Sequence, residues 1–243
     1  MKLTLTCNLT GMNQTDERTA IVTGASRGLG LATAQALADA GWKVIVDARC
    51  GEDLEIATDA FRDRISAIAG DVTDPAHRRH LVATAGGRLD LLVNNASMLG
   101  PSPQPRLDTY PLDVLRQVYE VNVVAPLALT QLALPLLRES SGVVINVTSD
   151  AATEAYEGWG GYGSSKAALN QATNILSAEE PGFSVYHFDP GDMNTRMHQE
   201  AFPDEDISDR PSPEASVPAL LALVAGGPPS GLYRARDMLL SAS

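Results

Sequence analysis

The stretch Thr23-Gly24-Ala25-Ser26-Arg27-Gly28-Leu29-Gly30 decides the fold of this chain. It follows a short β-branched run and opens directly into an Ala- and Leu-rich segment of helical period. Glycines allow a turn between a strand and a helix to approach a pyrophosphate closely, and the helix N-terminus supplies unpaired N–H groups for its charge. The glycine spacing fits the general dinucleotide-binding pattern only loosely, so a turn that merely permits tight packing is the alternative. The stretch predicts a nucleotide site at the start of the first helix.

Outward from this turn, short β-branched runs alternate with longer stretches of helical period, a pattern typical of βαβ units. We predict an α/β fold, namely a single-domain, Rossmann-type doubly wound parallel sheet of about seven strands with helices on both faces. The predicted strands are Thr19–Thr23, Lys43–Ala48, Ile65–Ala69, Leu89–Asn94, Gly142–Thr148, Phe183–Phe188 and Gly231–Arg234, and the predicted helices are Leu29–Ala40, Pro75–Ala85, Asp113–Leu137 and Tyr162–Glu179.

Proline and charge mark the boundaries of these elements. Pro126 and Pro135 lie inside the long fourth helical stretch and predict a kink or a split there. The polar, acidic and proline-interrupted segment of about 191–213 predicts a mobile flap beyond the carboxyl edge of the sheet, where doubly wound folds bind ligands. Residues 1–17 are predicted to be a poorly ordered extension of the domain 18–243, with Met12 as an alternative start.

Composition narrows the class of protein. A hydrophobic content of 44% and a charged content of 20% in 243 residues are typical of a globular domain. The net charge of -12 disfavours nucleic acid and anionic lipid as partners. Cys7 and Cys50 have neither paired spacing nor a His-rich neighbourhood, which predicts no disulfide framework and no metal site. Because the N-terminal stretch is too polar and short for a signal or a membrane span, we predict a cytoplasmic protein without a membrane partner.

A set of polar residues in the second half of the chain points to proton transfer. Tyr162 and Lys166 are four residues apart and share one face of a helix, Ser149 precedes Tyr162 by thirteen residues, and Asn122 lies in the long helical stretch. Hydride addition to a carbonyl builds negative charge on oxygen, which needs stabilisation and a proton. An ammonium about 4 Å from a phenolate interacts by roughly 4 kcal/mol at an effective dielectric of about 20, which predicts a lowered pKa for Tyr162. Singly, each residue has a structural alternative: packing aromatic, solvated charge, cap or mid-helix polar group.

Together these motifs resemble the short-chain dehydrogenase/reductase family over about Thr19 to Arg196. The family pattern Thr-Gly-x3-Gly-x-Gly is matched at every fixed position, and the matches continue with Asp71-Val72, Asn94-Asn95-Ala96 and Pro190-Gly191-x3-Thr195. There are two departures. Ser97 stands where the family usually has glycine, and the region of residues 226–233 lacks the usual closing stretch with paired glycines.

The resemblance implies a role for each matched position. Ser149 is expected to hold the substrate oxygen, Tyr162 to be the proton donor and acceptor, Lys166 to bond the nicotinamide ribose, and Asn122 to hold a water that relays protons. Thr195 is expected to orient the nicotinamide carboxamide, with capping of the next helix as the alternative. The implied cofactor-binding residues are Gly24, Ser26, Arg27, Gly28, Leu29, Gly30, Arg49, Asp71, Val72, Asn94, Ala96, Tyr162, Lys166, Pro190, Gly191 and Thr195.

The choice of cofactor depends on the end of the second strand, where an acidic side chain would bond the ribose 2'-hydroxyl of NAD. Alignment with the family puts Ala48 at that position and Arg49 after it, while Asp47 falls one residue early and should point away from the ribose. Arg27 and Arg49 form a plausible clamp for a 2'-phosphate, with solvated surface charge as the alternative for each. We predict NADP (NADPH) as the cofactor, and Asp47 leaves NAD as the alternative.

The sequence thus predicts an NADP(H)-dependent oxidoreductase that transfers hydride between nicotinamide and a small-molecule carbonyl or secondary alcohol, a ketoreductase in the broad sense. A nucleotide-sensing binding protein on the same fold and an epimerase or dehydratase of the same family are the alternatives. The resemblance implies a homodimer or homotetramer through the long fourth and fifth helices. A set of adaptable and aromatic residues is predicted to line an apolar substrate pocket, with ordinary packing as the alternative. These residues are Met98, Tyr156, Trp159, Met193, Met197 and Phe202.

Overall fold

A parallel sheet of seven strands forms the centre of the computed structural model, which describes residues 17–241. The β-branched and leucine-rich runs pair as β1 (Thr19–Val22), β2 (Lys43–Ala48), β3 (Ile65–Ala69), β4 (Leu91–Asn94), β5 (Val143–Val147), β6 (Ser184–Asp189) and β7 (Gly231–Arg234). The helices are α1 (Gly28–Asp39), α2 (Gly51–Thr58), α3 (Pro75–Thr84), α4 (Leu112–Tyr119), α5 (Ala125–Ser140), α6 (Gly160–Glu179), α7 (Arg196–Ala201), α8 (Val217–Gly226) and α9 (Ala235–Ser241).

The strand order is β3-β2-β1-β4-β5-β6-β7, and every neighbouring pair is parallel. From β1 the chain first winds outward through β2 and β3 and then returns to add β4 on the other side of β1. The connections at the carboxyl ends of β1 and β4 therefore diverge, which opens a crevice at that edge of the sheet. The predicted doubly wound Rossmann-type fold is confirmed.

Both faces of the sheet are buried, as its continuous apolar strands require. In β1, Ala20 and Val22 pack into a core shared with α1 and α8, while Ile21 points into a second core shared with α3 and α5. All three side chains have 0% exposure. Two helical layers therefore hold the sheet rigidly, and the loops at its carboxyl edge inherit fixed starting points.

The predicted break in the long helical stretch is confirmed. A π-helical turn over Glu120–Val124 separates α4 from α5, and Pro126 lies in the first turn of α5. Because proline has no N–H, the carbonyl of Asn122 cannot receive the bond that position 126 would give in an α-helix. Pro135, in contrast, lies inside α5 without dividing it.

Some predicted boundaries need correction. The flap is not free of regular structure, because α7 (Arg196–Ala201) lies within it and the Thr195 side chain caps that helix. The prediction also lacked α2, α8 and α9, whose short or uniformly apolar sequences show little helical period. The mobility of the flap stays a prediction. The predictions for residues 1–16, which include Cys7 and Met12, concern a segment outside the described residues. Cys50 is an exposed free thiol.

The stretch Leu112–Ser140 is long and apolar enough to span a membrane by length and composition alone, a test that core helices of soluble proteins also pass. Here its inner face includes Val118, Leu129 and Leu137, each 0% or 1% exposed. Its outer face leaves Leu112, Leu127 and Leu132 exposed. The predicted absence of a membrane partner, the cytoplasmic location and the homodimer or homotetramer stay predictions.

Candidate active site

The predicted site residues converge on the carboxyl edge of the sheet. The loop of residues 23–30, which we call the phosphate loop, joins β1 to α1, and the short segments after β2 to β6 carry most of the remaining predicted residues. Strand order places the segments after β1 and β4 side by side at the crevice. The positions that are scattered along the sequence are therefore gathered on one face of the molecule.

A network of short contacts shapes the phosphate loop. Gly24 has a φ of +67°, and a Cβ on it would lie 2.8 Å from the Ala96 Cα. The Thr23 hydroxyl accepts bonds from the backbone N–H groups of Asn95 and Ala96, both at 3.0 Å. The Asn95 side chain donates to the carbonyls of Thr23 at 2.8 Å and Gly24 at 3.1 Å. Thr23 and Asn95 were missing from the predicted set, although both lie inside the motifs that revealed their neighbours.

The N-terminus of α1 retains its capacity to bind an anion. Arg27 is the N-cap and makes no side-chain capping bond, and the first turn contains no acidic residue. Gly28 adopts a φ of +60°, and the Thr195 methyl group lies 3.7 Å from where its Cβ would stand. Ser26 is half-buried and Leu29 and Gly30 are buried below the turn. Uncapped N–H groups and a positive helix end fit a pyrophosphate, the group that the glycine pattern predicts.

The Asn94 side chain is buried and hydrogen-bonded within the protein. It is 3% exposed and donates to Asn146 Oδ1 at 2.7 Å and to Thr130 Oγ1 at 3.2 Å. Asn146 in turn donates to Thr173 Oγ1 at 2.8 Å. These bonds tie β4 to β5 and α5 below the crevice, while α6 joins through Thr173, and the cofactor contact of Asn94 stays a prediction.

Asp71 and Val72 follow β3 and flank the phosphate loop. Both the backbone N–H and the hydroxyl of Thr73 donate to Asp71 Oδ1 at 2.8 Å. Burial raises the pKa of Asp71, but these bonds and the charges of Arg49 and His77 outweigh it and lower the pKa overall. Val72 and Ala96 line one small cavity with Thr23, Asn94, Val121, Ala125, Pro126 and Leu129. The predicted pair of segments after β3 and β4 is thus brought together.

Asp47 faces away from the position that an NAD-binding carboxylate would occupy. It is 1% exposed, and its Oδ1 accepts from the Gly24 backbone N–H at 2.7 Å. Arg49 lies exposed just beyond β2. Arg27 is exposed and lies 3.6 Å from the Asp53 carboxylate on α2. Of the two predicted arginines, Arg49 is the one without a carboxylate contact in the described part of the chain.

Tyr162 and Lys166 are buried on one face of α6, with 8% and 2% exposure. The Lys166 Nζ donates to the Val147 carbonyl at 2.8 Å and lies 5.4 Å from the Tyr162 ring centroid. Gly163 allows this packing, because a Cβ there would lie 2.6 Å from the Ala151 carbonyl oxygen. The end of β5 and the start of α6 are thereby held together as the sequence predicts, with Gly163 as an unpredicted requirement.

The Ser149 hydroxyl stands at the carboxyl end of β5 and makes two local bonds. It accepts from the Ala151 backbone N–H at 3.2 Å and donates to Asp150 Oδ1 at 2.9 Å. The other oxygen of Asp150 accepts from the Tyr156 hydroxyl at 3.0 Å. The structural alternative for Ser149, a cap, is therefore present, and an exposed carboxylate lies in contact with the predicted substrate-binding hydroxyl.

The predicted lowering of the Tyr162 pKa is wrong. Burial raises the pKa of Tyr162 well above its ordinary value, the Asp189 and Asp150 carboxylates raise it further, and a hydrogen bond with Ser97 only partly opposes them. The reason lies in the position of Lys166, whose ammonium bonds the Val147 carbonyl over the ring rather than the phenol oxygen. Burial also lowers the pKa of Lys166 to about 8.

The amide of Asn122 is fully committed to protein groups. Its Oδ1 accepts from the Met98 backbone N–H at 2.8 Å and from the Ser97 hydroxyl at 3.1 Å. Its Nδ2 donates to the Met98 carbonyl at 2.9 Å and to Ser165 Oγ at 3.0 Å. An amide has two donor hydrogens and two acceptor lone pairs, so no side-chain valence is left for the predicted water. The side chain joins the segment after β4 to α6, and the water contact of Asn122 stays a prediction.

An aromatic wall of Tyr156, Trp159 and Phe202 contacts Tyr162 through Trp159. The Trp159 ring centroid lies 5.8 Å from that of Tyr162, 6.1 Å from that of Tyr156 and 5.7 Å from that of Phe202. Met197 packs against the same small cluster, whereas Met193 is partly buried against the core that contains α1 and α8, and its place in the substrate pocket stays a prediction. The His198 ring also lies against Phe202, with ring centroids 4.9 Å apart.

The segment after β6 completes the edge. Asp189 Oδ1 accepts from the Gly191 backbone N–H at 3.0 Å, and the Ser216 hydroxyl donates to the Pro190 carbonyl at 2.9 Å. The Thr195 hydroxyl accepts from the His198 backbone N–H at 3.2 Å, which is the capping alternative for this residue. Since the Thr195 methyl group also faces Gly28, the segment reaches over the phosphate loop.

Comparisons with known proteins agree with this geometry. The family model described as short chain dehydrogenase matches residues 18–206. A serine 3-dehydrogenase of Rhizobium radiobacter is 36% identical over 185 residues, covering 74% of this chain and 73% of that protein. A rhamnolipids biosynthesis 3-oxoacyl-(acyl-carrier-protein) reductase of Pseudomonas aeruginosa is 38% identical over 194 residues, covering 74% of each. A short chain dehydrogenase from Escherichia coli CFT073, solved with NADPH, has a TM-score of 0.84 at 28% identity and covers 91% of this chain and 97% of its own.

Gly24→Ala tests whether the phosphate loop depends on this glycine. An L-residue in the left-handed region costs about 1–2 kcal/mol, and the new Cβ would also press on Ala96. We expect a fall of several degrees in Tm, since roughly 2–4 °C corresponds to 1 kcal/mol at this chain length. Differential scanning calorimetry measures it. Gly182→Ala, where nothing lies within 4 Å, is the matched control, and equal Tm values for the two variants would contradict the assignment.

Proposed function

We propose that this chain, which belongs to the short-chain dehydrogenase/reductase family, is an NADP(H)-dependent oxidoreductase that interconverts a carbonyl compound and a secondary alcohol. The placement of Tyr162 and Lys166 on the buried face of α6, with Lys166 bonded to the end of β5 just before Ser149, carries this proposal together with the uncapped start of α1. A nucleotide-sensing protein would need the helix end alone. Three acid, base and hydroxyl groups therefore favour an enzyme.

Three observations support NADP rather than NAD. Structural neighbours were solved with NADP and NADPH. Asp47 is buried and hydrogen-bonded to the phosphate loop, so its carboxylate is not free to accept a bond from a ribose hydroxyl. Arg49 is exposed after β2 and provides the planar, permanently charged group that suits a 2'-phosphate. Arg27 assists only after it releases Asp53.

When bound, the nicotinamide supplies the hydride. Tyr162 gives its proton to the alkoxide oxygen that develops, or takes one from the alcohol in the reverse direction. The Ser149 hydroxyl turns from Asp150 to the same oxygen. Because burial and the Asp189 and Asp150 charges raise the pKa of Tyr162, the phenol keeps its proton at neutral pH, which favours the direction of reduction.

Lys166 and Asn122 support the proton transfer in different ways. With its pKa lowered to about 8 by burial, Lys166 is still mainly a cation at neutral pH and attracts the electron-rich phenolate. We assign the water contact expected of Asn122 to its backbone carbonyl, which has lost its i+4 donor because position 126 is proline. The side chain of Asn122 then acts by holding α6 in place.

The aromatic wall supports a substrate with a flat apolar portion. Trp159 and Met197 pack against the cluster that contains Tyr162, and Phe202 extends the wall beyond Trp159. Such planar and adaptable groups suit a ring system next to the reacting carbonyl. Net cofactor turnover separates this proposal from an epimerase or dehydratase, which would return the cofactor unchanged. The absorbance of NADPH during incubation with a panel of aryl ketones and aldehydes measures it.

Tyr162→Phe tests the central assignment. Loss of the phenolic proton should lower kcat by about 10²–10⁴, while fluorescence titration should still detect NADPH binding, since the uncapped start of α1 is unchanged. The control is Tyr233→Phe, which removes an equivalent hydroxyl from β7, where it bonds the Pro229 carbonyl. Turnover of Tyr162→Phe at the parental rate would show that another group carries the proton.

Asp150→Asn tests the electrostatics of the site through pH. The Asp150 charge is among the groups that raise the pKa of Tyr162, and asparagine still accepts the Ser149 bond. Alcohol oxidation needs the phenolate, so its rate rises with pH, and the midpoint of that rise should move to lower pH in the variant. Profiles at low ionic strength measure the shift, because salt screens an exposed charge. Glu157→Gln is the control, and unchanged midpoints in both variants would count against Tyr162 as the titrating base.

Arg49→Ala tests the choice of cofactor. A charge-assisted hydrogen bond contributes about 1.5–3 kcal/mol, so the NADPH Kd should rise about 10-fold or more while the NADH Kd changes little. The control is Arg62→Ala, which removes an exposed arginine paired with Asp59. Isothermal titration calorimetry gives both constants. Tighter binding of NADH than of NADPH by the unmodified protein would overturn the choice.

A further inference from the structure

A buried pair of titratable residues lies beneath the phosphate loop and has no part in the proton transfer proposed above. Asp47 is 1% exposed and His77, on α3, is 7% exposed. Asp47 Oδ1 accepts from the Gly24 backbone N–H at 2.7 Å, and Asp47 Oδ2 lies 2.9 Å from His77 Nε2. Each carboxylate oxygen therefore has one partner, and the side chain connects the first glycine of the loop to an imidazole ring.

The fold makes room for this ring. Gly70 follows β3, and a Cβ on it would lie 2.1 Å from His77 Nδ1. The Gly70 N–H donates to the Ala48 carbonyl at 3.0 Å, so the ends of β2 and β3 close around the pair. Three separate elements contribute to one contact, because β2 gives Asp47, α3 gives His77 and the turn after β3 gives the space.

The pair also has an electrostatic consequence for the loop. A buried carboxylate next to an anion-binding turn repels the anion that binds there. A hydrogen-bond donor to the carboxylate offsets its negative charge and lowers the cost of burying it. Other charged side chains belong to the same strand ends and helices as Asp47 and His77. They are Asp71 and Arg49 at the strand ends, the pair Arg27 and Asp53, and Arg78 on α3. His77 is the ring that contacts Asp47 directly.

We propose that Asp47 and His77 are joint positioning residues of the phosphate loop: the carboxylate holds the Gly24 N–H in place, and the imidazole N–H holds the carboxylate. This inference rests on the proposed function for the nucleotide, but not on the catalytic role of any residue. Asp47 then contributes to the affinity for NADPH and NADH alike, although its position near the specificity residue would suggest a ribose contact.

A double-mutant cycle tests the coupling. His77→Leu leaves a buried carboxylate without its donor and should raise the NADPH Kd by about 10-fold or more. Asp47→Asn keeps an acceptor for Gly24 and should raise it less. Adding Asp47→Asn to His77→Leu should recover at least half of the loss on a logarithmic scale, since the unpaired charge is then removed. Fluorescence titration measures each Kd, and His80→Leu on the exposed face of α3 is the control.

The alternatives give distinct results. Effects of the two substitutions that simply add would show that the residues act independently and would overturn the proposal. A selective loss of NADH affinity in Asp47→Asn would identify a ribose contact instead of a positioning role, and would overturn it as well. Equal losses for NADPH and NADH, with recovery in the double variant, support it.

Unfolding without nucleotide separates this inference from the proposed function. The same four proteins are unfolded in urea, where the pair should again show a coupling, with His77→Leu less stable than the double variant. If the unmodified protein failed to bind NADPH, the cofactor assignment would fall while this coupling still tested the pair. Additive unfolding effects would overturn the proposal whatever the nucleotide, and the milder Asp47→Asn variant keeps the comparison possible if His77→Leu does not fold.

Discussion

The contact between the turn after β1 and the turn after β4 is the constraint on which the rest of the site depends. Gly24 approaches Ala96 so closely that a Cβ would lie 2.8 Å from its Cα. Thr23 and Asn95 fix that approach by hydrogen bonds in both directions. The crevice at the edge of the sheet thus has a rigid floor, and α1 begins there with an N-terminus that has no side-chain cap.

Burial sets the chemistry of the groups above that floor. Burial favours the neutral form of both Tyr162 and Lys166. It raises the pKa of the phenol and lowers the pKa of the ammonium. Neutral forms are the less costly ones to desolvate. The Tyr162 phenol therefore keeps its proton, and the buried carboxylate of Asp189 and the exposed carboxylate of Asp150 add to the effect.

The sequence predicts the sheet and the helix break well, because these depend on local signals such as β-branched runs and proline positions, while the roles of the site residues stay predictions. It fails where distant segments meet. Three polar side chains have hydrogen-bond partners more than 20 residues away in the sequence, namely Asn122, Asn94 and His77. The pKa of Tyr162 was misjudged for the same reason, since burial comes from the whole fold.

The aromatic wall joins two parts of the chain that the fold holds in different ways. Trp159 belongs to the segment that leads into α6 and is tied to the catalytic geometry, whereas Phe202 follows α7 in a segment that no strand contains. Replacement of that segment by another of similar length would leave the sheet and the nucleotide turn intact. Under the proposed function, substrate preference can therefore change through this surface segment while the residues assigned to proton transfer stay in place.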